Sequence, residues 1–354
     1  MTQNYATLSD LTLVIPSYER QAYLLRQIEF WSRYPVNVVI LDGSKSGCKH
    51  SRIVNMPSQI KYRHMPVSLE ERLGFVRGRI TTKFAALLSD DEFLIPSAVE
   101  SCLEYLLSHP DYVACKGQAL WFDCNKGVVV GGRIYPGLQG YVIDDDTASG
   151  RMLQHMNNYE MATLWSIQRT DVFNLCLEVM SCERAFSTAA AAEMQISLAT
   201  AYSGKCKVIN ELMWLRSREN ENIWWSFGRQ SIVDWFREKE NRSEHQRFFS
   251  ALSNALSKDT HQSNIMSELH DAIEAYVVHQ EKFSKTFKEK FKSFIKTMLG
   301  PQKTAFLRAN FKKKRKLQDA ALHLKTSGIL IDYLAVQSIA RHVRKFHSDR
   351  TQAG

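Results

Sequence analysis

Short apolar runs separated by amphipathic segments fill the first 220 residues of the chain. Leu11–Ile15 and Val36–Leu41 have the length and composition of buried strands, and Gln21–Arg33 between them carries apolar side chains at helical spacing. A strand, a helix and a second strand in this order predict a βαβ unit. Such a unit indicates a parallel sheet with helices on its faces, which is an α/β fold.

The same alternation continues along the chain. Further predicted strands are 60–64, 84–88, 112–115, 164–167 and 207–209, and further predicted helices are 69–79, 96–107 and 189–202. Residues 123–150 are rich in Gly and Asp and are expected to form mobile connections over a site, and a loop is expected over 216–222. The strand pattern ends near residue 225. We therefore predict an α/β domain over 1–227 and a helical, basic region over 228–354.

Composition sets limits on the class of protein. The chain has 354 residues, 44% of them hydrophobic and 23% charged, which is typical of a globular protein. No apolar run approaches the roughly 20 residues that a membrane-spanning helix needs, and the first ten residues lack the features of a secretory signal. Seven cysteines without a C-x-x-C pair indicate a reducing compartment and argue against a disulfide framework or a structural zinc site.

Positive charge is concentrated in one segment. Glu281–Lys316 contains 13 Lys and Arg against two Glu, so with a net charge of +9 overall the rest of the chain is close to neutral at −2. Six apolar residues in this segment recur mostly at spacings of three or four: Phe283, Phe287, Phe291, Phe294, Ile295 and Met298. This pattern predicts a helix that lies on an anionic membrane surface. A helix packed against the protein with solvated lysines is the alternative; nucleic-acid binding is a weaker one.

Polar residues follow three of the predicted strands. Pro16–Arg20 follows the first strand, Asp42–Ser44 the second, and Ser89–Glu92 the run 84–88. Ligands of open α/β sheets bind at the carboxyl ends of strands, so we expect these groups to meet at one edge.

Three consecutive acids, Asp90, Asp91 and Glu92, repel one another unless a cation or protonation relieves the repulsion. A hard divalent ion, Mg²⁺ or Mn²⁺, held by carboxylates and by substrate phosphates would do so. A solvated turn that caps the following helix is the alternative.

This ordered set of motifs resembles the GT-A glycosyltransferases, in particular a bacterial group with a DGS element and a D-D-D/E-F motif. The resemblance covers about residues 10–220. It implies a GT-A, Rossmann-like fold and transfer of a sugar from a nucleotide-sugar donor. The nucleotide-contacting positions that it implies are Pro16, Tyr18, Glu19, Arg20, Asp42 and Asp90.

The resemblance also implies metal and phosphate contacts. Asp91 would hold Mn²⁺ or Mg²⁺, with Glu92 as an additional or substitute ligand. Arg72 and Arg79, on the helix before the acidic motif, could reach phosphate or sugar, for which the always-charged planar guanidinium is suited. Either arginine could instead form a surface ion pair.

An inverting transfer needs a base, because the acceptor hydroxyl is a poor nucleophile until a carboxylate accepts its proton. Glu193 resembles the family's acidic position for this role; a helix-start acid that interacts with the helix dipole is the alternative. The rival acids 144–146 are expected to be solvated. Many relatives place a metal-binding His after the last sheet element, whereas residues 215–220 contain none. The metal could then be held by carboxylates and water, or Arg216 and Arg218 could bind the diphosphate.

The leading hypothesis is therefore a glycosyltransferase of bacterial surface polysaccharide synthesis. It would act on a glycan or lipid-linked acceptor, from the cytoplasm, at the inner face of the cell membrane and without nucleic acid. A sugar-phosphate nucleotidyltransferase is disfavoured because no Gly-rich loop follows the first strand. A non-catalytic adaptor that binds membranes or nucleic acid, with a degenerate transferase domain, is the alternative from another class. The donor sugar, its base and the oligomeric state remain open.

Overall fold

The structure is a computed structural model that describes residues 5–160, 164–180, 186–220, 231–258, 264–298 and 315–352. Within these ranges it describes the side chains of all residues except 283–298 and 351–352. The strands are β1 Leu11–Ser17, β2 Asn37–Asp42, β3 Ile60–His64, β4 Phe84–Leu87, β5 Phe93–Leu94, β6 Tyr112–Asn125, β7 Val128–Ile134, β8 Val142–Ile143, β9 Ile167–Arg169, β10 Lys205–Ser217 and β11 Arg315–Lys316.

Helices separate most of these strands. They are α1 Gln21–Trp31, α2 Ser51–Val54, α3 Leu69–Val76, α4 Pro96–Ser108, α5 Ala148–Asn157, α6 Thr170–Met180, α7 Ala189–Ser203, α8 Ile232–Arg237, α9 Arg242–Leu256, α10 Ile265–Met298, α11 Leu317–Lys325 and α12 Tyr333–Gln352. Short 3₁₀ turns cover Ala6–Asp10, Pro136–Leu138 and Lys239–Asn241.

The described strands form one mixed sheet with a parallel core. Its main path runs β11-β7-β6-β9-β4-β1-β2-β3, and β10 pairs with β5, β6 and β8. The strands β3, β2, β1 and β4 are parallel to one another, as are β6 and β10. The prediction of an α/β fold with a mainly parallel sheet, flanking helices and a C-terminal helical region is confirmed.

Three local predictions were wrong. Residues 123–150 are not only connections, because β6 runs to Asn125 and turns through Lys126 and Gly127 into β7. Both turn residues have positive φ, the backbone that matches the twist of a two-residue hairpin. β10 continues to Ser217, where a loop was expected, and β11 adds a short strand beyond residue 225.

Apolar side chains pack on both faces of the sheet. In β1, Leu13 and Ile15 belong to one buried cluster and Val14 to the other, as the period of two in a strand requires. The first cluster also contains Val336 of α12, and the second contains Leu269 of α10. Residues after 227 thus pack on both faces; the domain boundary near 227 stays a prediction.

Candidate functional site

The carboxyl ends of β1, β2 and β4 meet at one edge, as expected. Ser17 lies opposite Asp42 in the parallel register, and the amide of Leu88 donates to the carbonyl of Val14. The Ser17 hydroxyl donates to Oδ2 of Asp90 across this edge, at 2.7 Å. Ser17 of β1 therefore connects the DGS turn, residues 42–44, with the acidic motif, residues 90–92.

Asp42 is fully buried and has a defined orientation. Its Oδ1 accepts from the amide of Ser44 at 2.9 Å, and its Oδ2 accepts from the hydroxyl of Tyr62 at 2.8 Å. Burial raises the pKa of Tyr62 to about 12, and the hydrogen bond to Asp42 adds to this, so the phenol remains a donor. Tyr62 was not among the predicted residues, because it belongs to the weakly patterned strand β3.

Arg20 bridges the first two acids of the motif. One terminal nitrogen lies 2.7 Å from Oδ1 of Asp90 and the other 3.1 Å from Oδ2 of Asp91. Asn220, in the loop after β10, donates to the same Oδ2 of Asp91 at 2.8 Å. Burial raises the pKa of Asp90 above its usual range, although Arg20 opposes the rise. Two carboxylates thus share one cationic group at the pocket floor.

Glu92 faces a different environment. Its Oε2 accepts from the indole nitrogen of Trp214 at 2.8 Å, and its Oε1 lies 3.9 Å from Nε of Arg216. Burial raises the pKa of Glu92 to about 8, and the neighbouring charge of Asp91 adds to the rise. A pKa of about 8 favours the protonated form of Glu92 near neutral pH. Its carboxyl group holds the indole of Trp214 in place through their hydrogen bond.

Helix α1 holds the backbone of all three acids. Nε2 of Gln27 donates to the carbonyls of Asp90 (3.0 Å) and Glu92 (2.7 Å), and Arg26 donates to the carbonyl of Asp91 at 2.8 Å. Both side chains are buried. Sequence reasoning missed these two residues, since consecutive Arg and Gln in an amphipathic helix ordinarily face solvent.

The residues after β1 close over the DGS turn. The amide of Glu19 donates to the Ser44 hydroxyl at 2.8 Å, and Oε1 of Glu19 accepts from the amide of Lys45 at 2.9 Å. Tyr18 is 49% exposed, so its ring is accessible to a ligand beside Asp42. Pro16, the remaining predicted residue of this segment, lies within β1 and is partly buried.

The two candidate arginines of the α3 region differ. Arg72 is buried, and one terminal nitrogen donates to the carbonyls of Ser17 (2.7 Å) and Leu41 (2.9 Å), so it ties the ends of β1 and β2 together. Arg79 is exposed, and its guanidinium contacts Phe75. In the described ranges, no contact of Arg79 links it to the acidic motif.

Glu193 lies in the first half of α7, near enough to Arg216 to be affected by its charge. Burial raises the pKa of Glu193 to about 7, and the charge of Arg216 opposes the rise. The same Arg216 is a charged neighbour of Glu92 and contacts the hydroxyl of Tyr135. The rival acids 144–146 are exposed; Asp145, for example, accepts from the amide of Thr147.

Most of the residues that were predicted to bind a membrane have side chains that the structure does not describe. Helix α10 extends to Met298, but its side chains beyond residue 282 and the whole of 299–314 are not described. No helix in the described ranges is long and apolar enough to cross a bilayer.

The side-chain geometry bears on the predicted metal site. Among the residues that the structure describes, no three His, Cys, Asp or Glu are grouped so that they could hold a metal ion together. Asp91 offers one carboxylate at the pocket, with both of its described bonds on Oδ2.

Comparison with known proteins yields likeness of structure only. No protein-family model and no curated protein matches the sequence. Residues 1–349 of S. aureus TarS superpose with a TM-score of 0.49 at 10% identity, over 97% of this chain and 92% of that one. The same fragment in complex with UDP-GlcNAc gives 0.49 at 9% identity, with the same coverage. A likeness of this degree identifies neither a substrate nor a reaction for this chain.

Proposed function

We propose that the chain is a glycosyltransferase that moves a sugar from a nucleotide-sugar donor to a glycan or lipid-linked acceptor in bacterial surface polysaccharide synthesis. One observation carries the proposal. Ser17, Arg20, Asp42, Asp90 and Asp91 converge at the carboxyl edge of a parallel sheet, where such sheets bind ligands. The order of these motifs along the chain resembles that of the GT-A glycosyltransferases, which supports the proposal.

The nucleoside would bind between Tyr18 and Asp42. The Tyr18 ring is accessible and could contact a base or ribose, whereas the buried Asp42 carboxylate, bonded to Ser44 and Tyr62, would fix the turn 42–44 beside the nucleoside. Asp90 would accept from the ribose. Arg20 lies beside both carboxylates and would meet the diphosphate, because its planar guanidinium pairs with phosphate oxygens.

Asp91 fits a divalent cation, and Glu92 does not. Mg²⁺ and Mn²⁺ are commonly bound through one or two carboxylates, with phosphates and water as the other ligands, so a single carboxylate is sufficient. Oε2 of Glu92 accepts from the indole of Trp214 and its Oε1 lies near Arg216, so the cation would rest on Asp91 rather than on Glu92. When bound, the cation would neutralise charge on the diphosphate.

Glu193 would act as the base in an inverting transfer. The acceptor hydroxyl oxygen bonds to the anomeric carbon, the bond from that carbon to the diphosphate oxygen breaks, and the hydroxyl proton passes to the Glu193 carboxylate. The nucleoside diphosphate leaves with the electron pair. A pKa near 7 suits this role, since a base works best when it is ionised yet still accepts a proton.

A membrane location completes the proposal. The basic, phenylalanine-containing segment 281–316 would hold the enzyme at an anionic cytoplasmic surface, where lipid-linked acceptors lie.

The proposal is tested by thermal unfolding with a panel of nucleotides and nucleotide sugars, with and without Mn²⁺. A ligand that binds the folded protein stabilises it by RT ln(1 + [L]/Kd), so the melting temperature rises with ligand concentration and affinity. We expect one nucleoside diphosphate and one of its sugar derivatives to stabilise the protein, and the sugar derivative to be turned over slowly. A chain that no member of the panel stabilises or reacts with would be an adaptor, and the proposal would be wrong.

A further inference from the structure

A fully buried ion pair lies behind the acidic motif. Arg26 of α1 donates from its two terminal nitrogens to Oε1 (3.0 Å) and Oε2 (2.8 Å) of Glu219, and both side chains have no solvent exposure. The guanidinium also lies 4.6 Å from the ring centroid of Tyr23. A bidentate pair of this kind fixes both partners, because the two parallel bonds allow one orientation.

This ion pair is connected to Asp91 from two directions. Arg26 donates to the backbone carbonyl of Asp91 at 2.8 Å, so it holds the chain at that residue. Asn220 follows Glu219 directly and donates to Oδ2 of Asp91 at 2.8 Å, so it holds the carboxylate. A shift of Glu219 would therefore move the backbone and the side chain of Asp91 together.

The C-terminal helix α12 contributes further contacts to the ion pair of Arg26 and Glu219. Nε2 of His347 lies 2.5 Å from Oε1 of Glu219, and since an ionised carboxylate only accepts, the imidazole donates. Burial works to raise the pKa of Glu219, but the hydrogen bond from His347 and the charge of Arg26 outweigh it and keep the pKa below its usual range. The guanidinium of Arg26 also lies over the ring of Phe346, with Cζ 4.6 Å from the ring centroid.

We infer that His347 is a positioning residue for the transfer reaction. It holds Glu219, and through Glu219 it fixes Arg26 and Asn220, so that Asp91 presents its carboxylate to the diphosphate side of the pocket. The role of Asp91 in that step rests on the proposed function. A residue more than 120 positions away in sequence thus completes the site, and the C-terminal helix belongs to the catalytic unit.

The test compares two amide substitutions at His347. The amide nitrogen of Gln in His347→Gln reaches about as far as Nε2, whereas the shorter Asn in His347→Asn does not, and both side chains suit a position that is 29% exposed. Lys345→Ala is the control, because Lys345 lies on the same helix and pairs only with the half-buried Glu29 in the described structure. The measurements are hydrogen exchange of the amides 89–92 and 218–220, and titration with UDP plus Mn²⁺.

We expect His347→Asn to speed exchange in both segments and to weaken Mn²⁺-dependent UDP binding up to about tenfold, the lower end of the loss seen when a direct partner of a metal ligand is removed, because His347 acts through Glu219. His347→Gln and Lys345→Ala should behave as the wild type. Unchanged exchange in His347→Asn, or equal loss in the Gln variant, overturns the inference. Faster exchange in His347→Asn, in a protein whose wild type binds no nucleotide of the panel, leaves the positioning role in place and rejects the proposed function.

Discussion

Asp91 and Glu92 are consecutive residues with opposite environments. Asp91 faces the cationic Arg20 at the pocket, whereas Glu92 faces the indole of Trp214 and has a pKa raised by burial to about 8. The sequence motif presents the two carboxyl groups as equivalent. Their difference arises from the side chains that β10 and α1 bring to them from distant parts of the chain.

The difference between these two acids predicts how isosteric amides will act. If Asp91 holds the cation as proposed, Asp91→Asn removes its charged ligand, so we expect Mn²⁺ affinity to fall by at least about tenfold, the lower end of what loss of even an indirect partner costs. In Glu92→Gln the amide replaces a carboxyl group that is mainly protonated at pH 7 and still accepts from Trp214, so Mn²⁺ affinity should stay within about twofold. Calorimetric titration with Mn²⁺ in the presence of UDP measures both. Equal losses in the two variants would contradict this assignment.

The raised pKa of Glu193 predicts a pH profile. A base must be ionised, and burial places the pKa of this carboxyl group at about 7, so the transfer rate should rise with pH through that value and level off above it. Below pH 6 the group is protonated and cannot accept the hydroxyl proton. Glu193→Gln should lower kcat by about 10²–10⁴-fold and abolish this rise, with KM for the donor little changed.

Asp144→Asn is the matched control for Glu193. Asp144 is an exposed acid of the loop 144–146, so its substitution should leave both kcat and the pH profile unaltered. If Asp144→Asn removes the pH dependence while Glu193→Gln keeps it, the base lies in the loop.

At the scale of elements, the predictions were accurate for strands and helices that the spacing of hydrophobic residues determines. The strands β1, β2 and β4 and the helix α4 lie close to their predicted ranges, since each is a short apolar run or an amphipathic segment bounded by turn residues. The hairpin of β6 and β7 was missed, because Gly and Asp in 123–150 weighed more than the short run of valines Val128–Val130. Convergence of the acidic and DGS motifs followed from strand order alone.

The supports of the site could not be predicted in this way. Arg26, Gln27 and Trp214 contact the acids only because helix α1 and strand β10 fold against the motif. His347 reaches Glu219 from the last helix. No local pattern encodes a contact between residues so far apart in the sequence.

The contact of Arg72 with the ends of β1 and β2 leads to a prediction about packing at Gly43. A Cβ atom added at Gly43 would lie 2.5 Å from Cζ of Arg72, whose nitrogen donates to the carbonyls of Ser17 and Leu41. Gly43→Ala must therefore displace the guanidinium and break its hydrogen bonds to these carbonyls. We expect it to lower the free energy of unfolding by about 1–3 kcal/mol, a typical cost of overpacking, as measured by urea denaturation.

A double-mutant cycle separates this clash from a general effect of the added methyl group. Once Arg72→Ala has removed the guanidinium, Gly43→Ala has space and should change the free energy of unfolding by no more than about 0.5 kcal/mol. Strictly additive effects of the two substitutions would mean that Gly43 and Arg72 do not interact.

At the scale of the whole molecule, the region after residue 227 contributes to both faces of the sheet. Val336 and Val343 of α12 lie in one buried cluster, and Leu269 and Tyr276 of α10 lie in the other. Separating the chain at 227 would expose these apolar faces. Tests of membrane binding by the basic segment therefore need the full chain.

Membrane binding is predicted to depend on where positive charge lies, not on how much there is. Each Lys near an anionic surface contributes about 1 kcal/mol, so replacing Lys285, Lys288, Lys292 and Lys296 by Gln should weaken partition onto phosphatidylglycerol vesicles roughly 10²–10³-fold. Sedimentation with vesicles measures this. Because the Debye length shortens with salt, 1 M NaCl should also release the wild type.

The control removes four lysines from the body of the protein. Lys49, Lys61, Lys126 and Lys345 are exposed, and replacing them by Gln changes the net charge by the same amount. This variant should sediment with the vesicles as the wild type does, since no apolar face accompanies its charges. If both variants lose binding equally, attraction is governed by net charge and the segment 281–316 is not a specific membrane anchor. If neither loses binding, its lysines do not face the membrane, and the helix packs against protein instead.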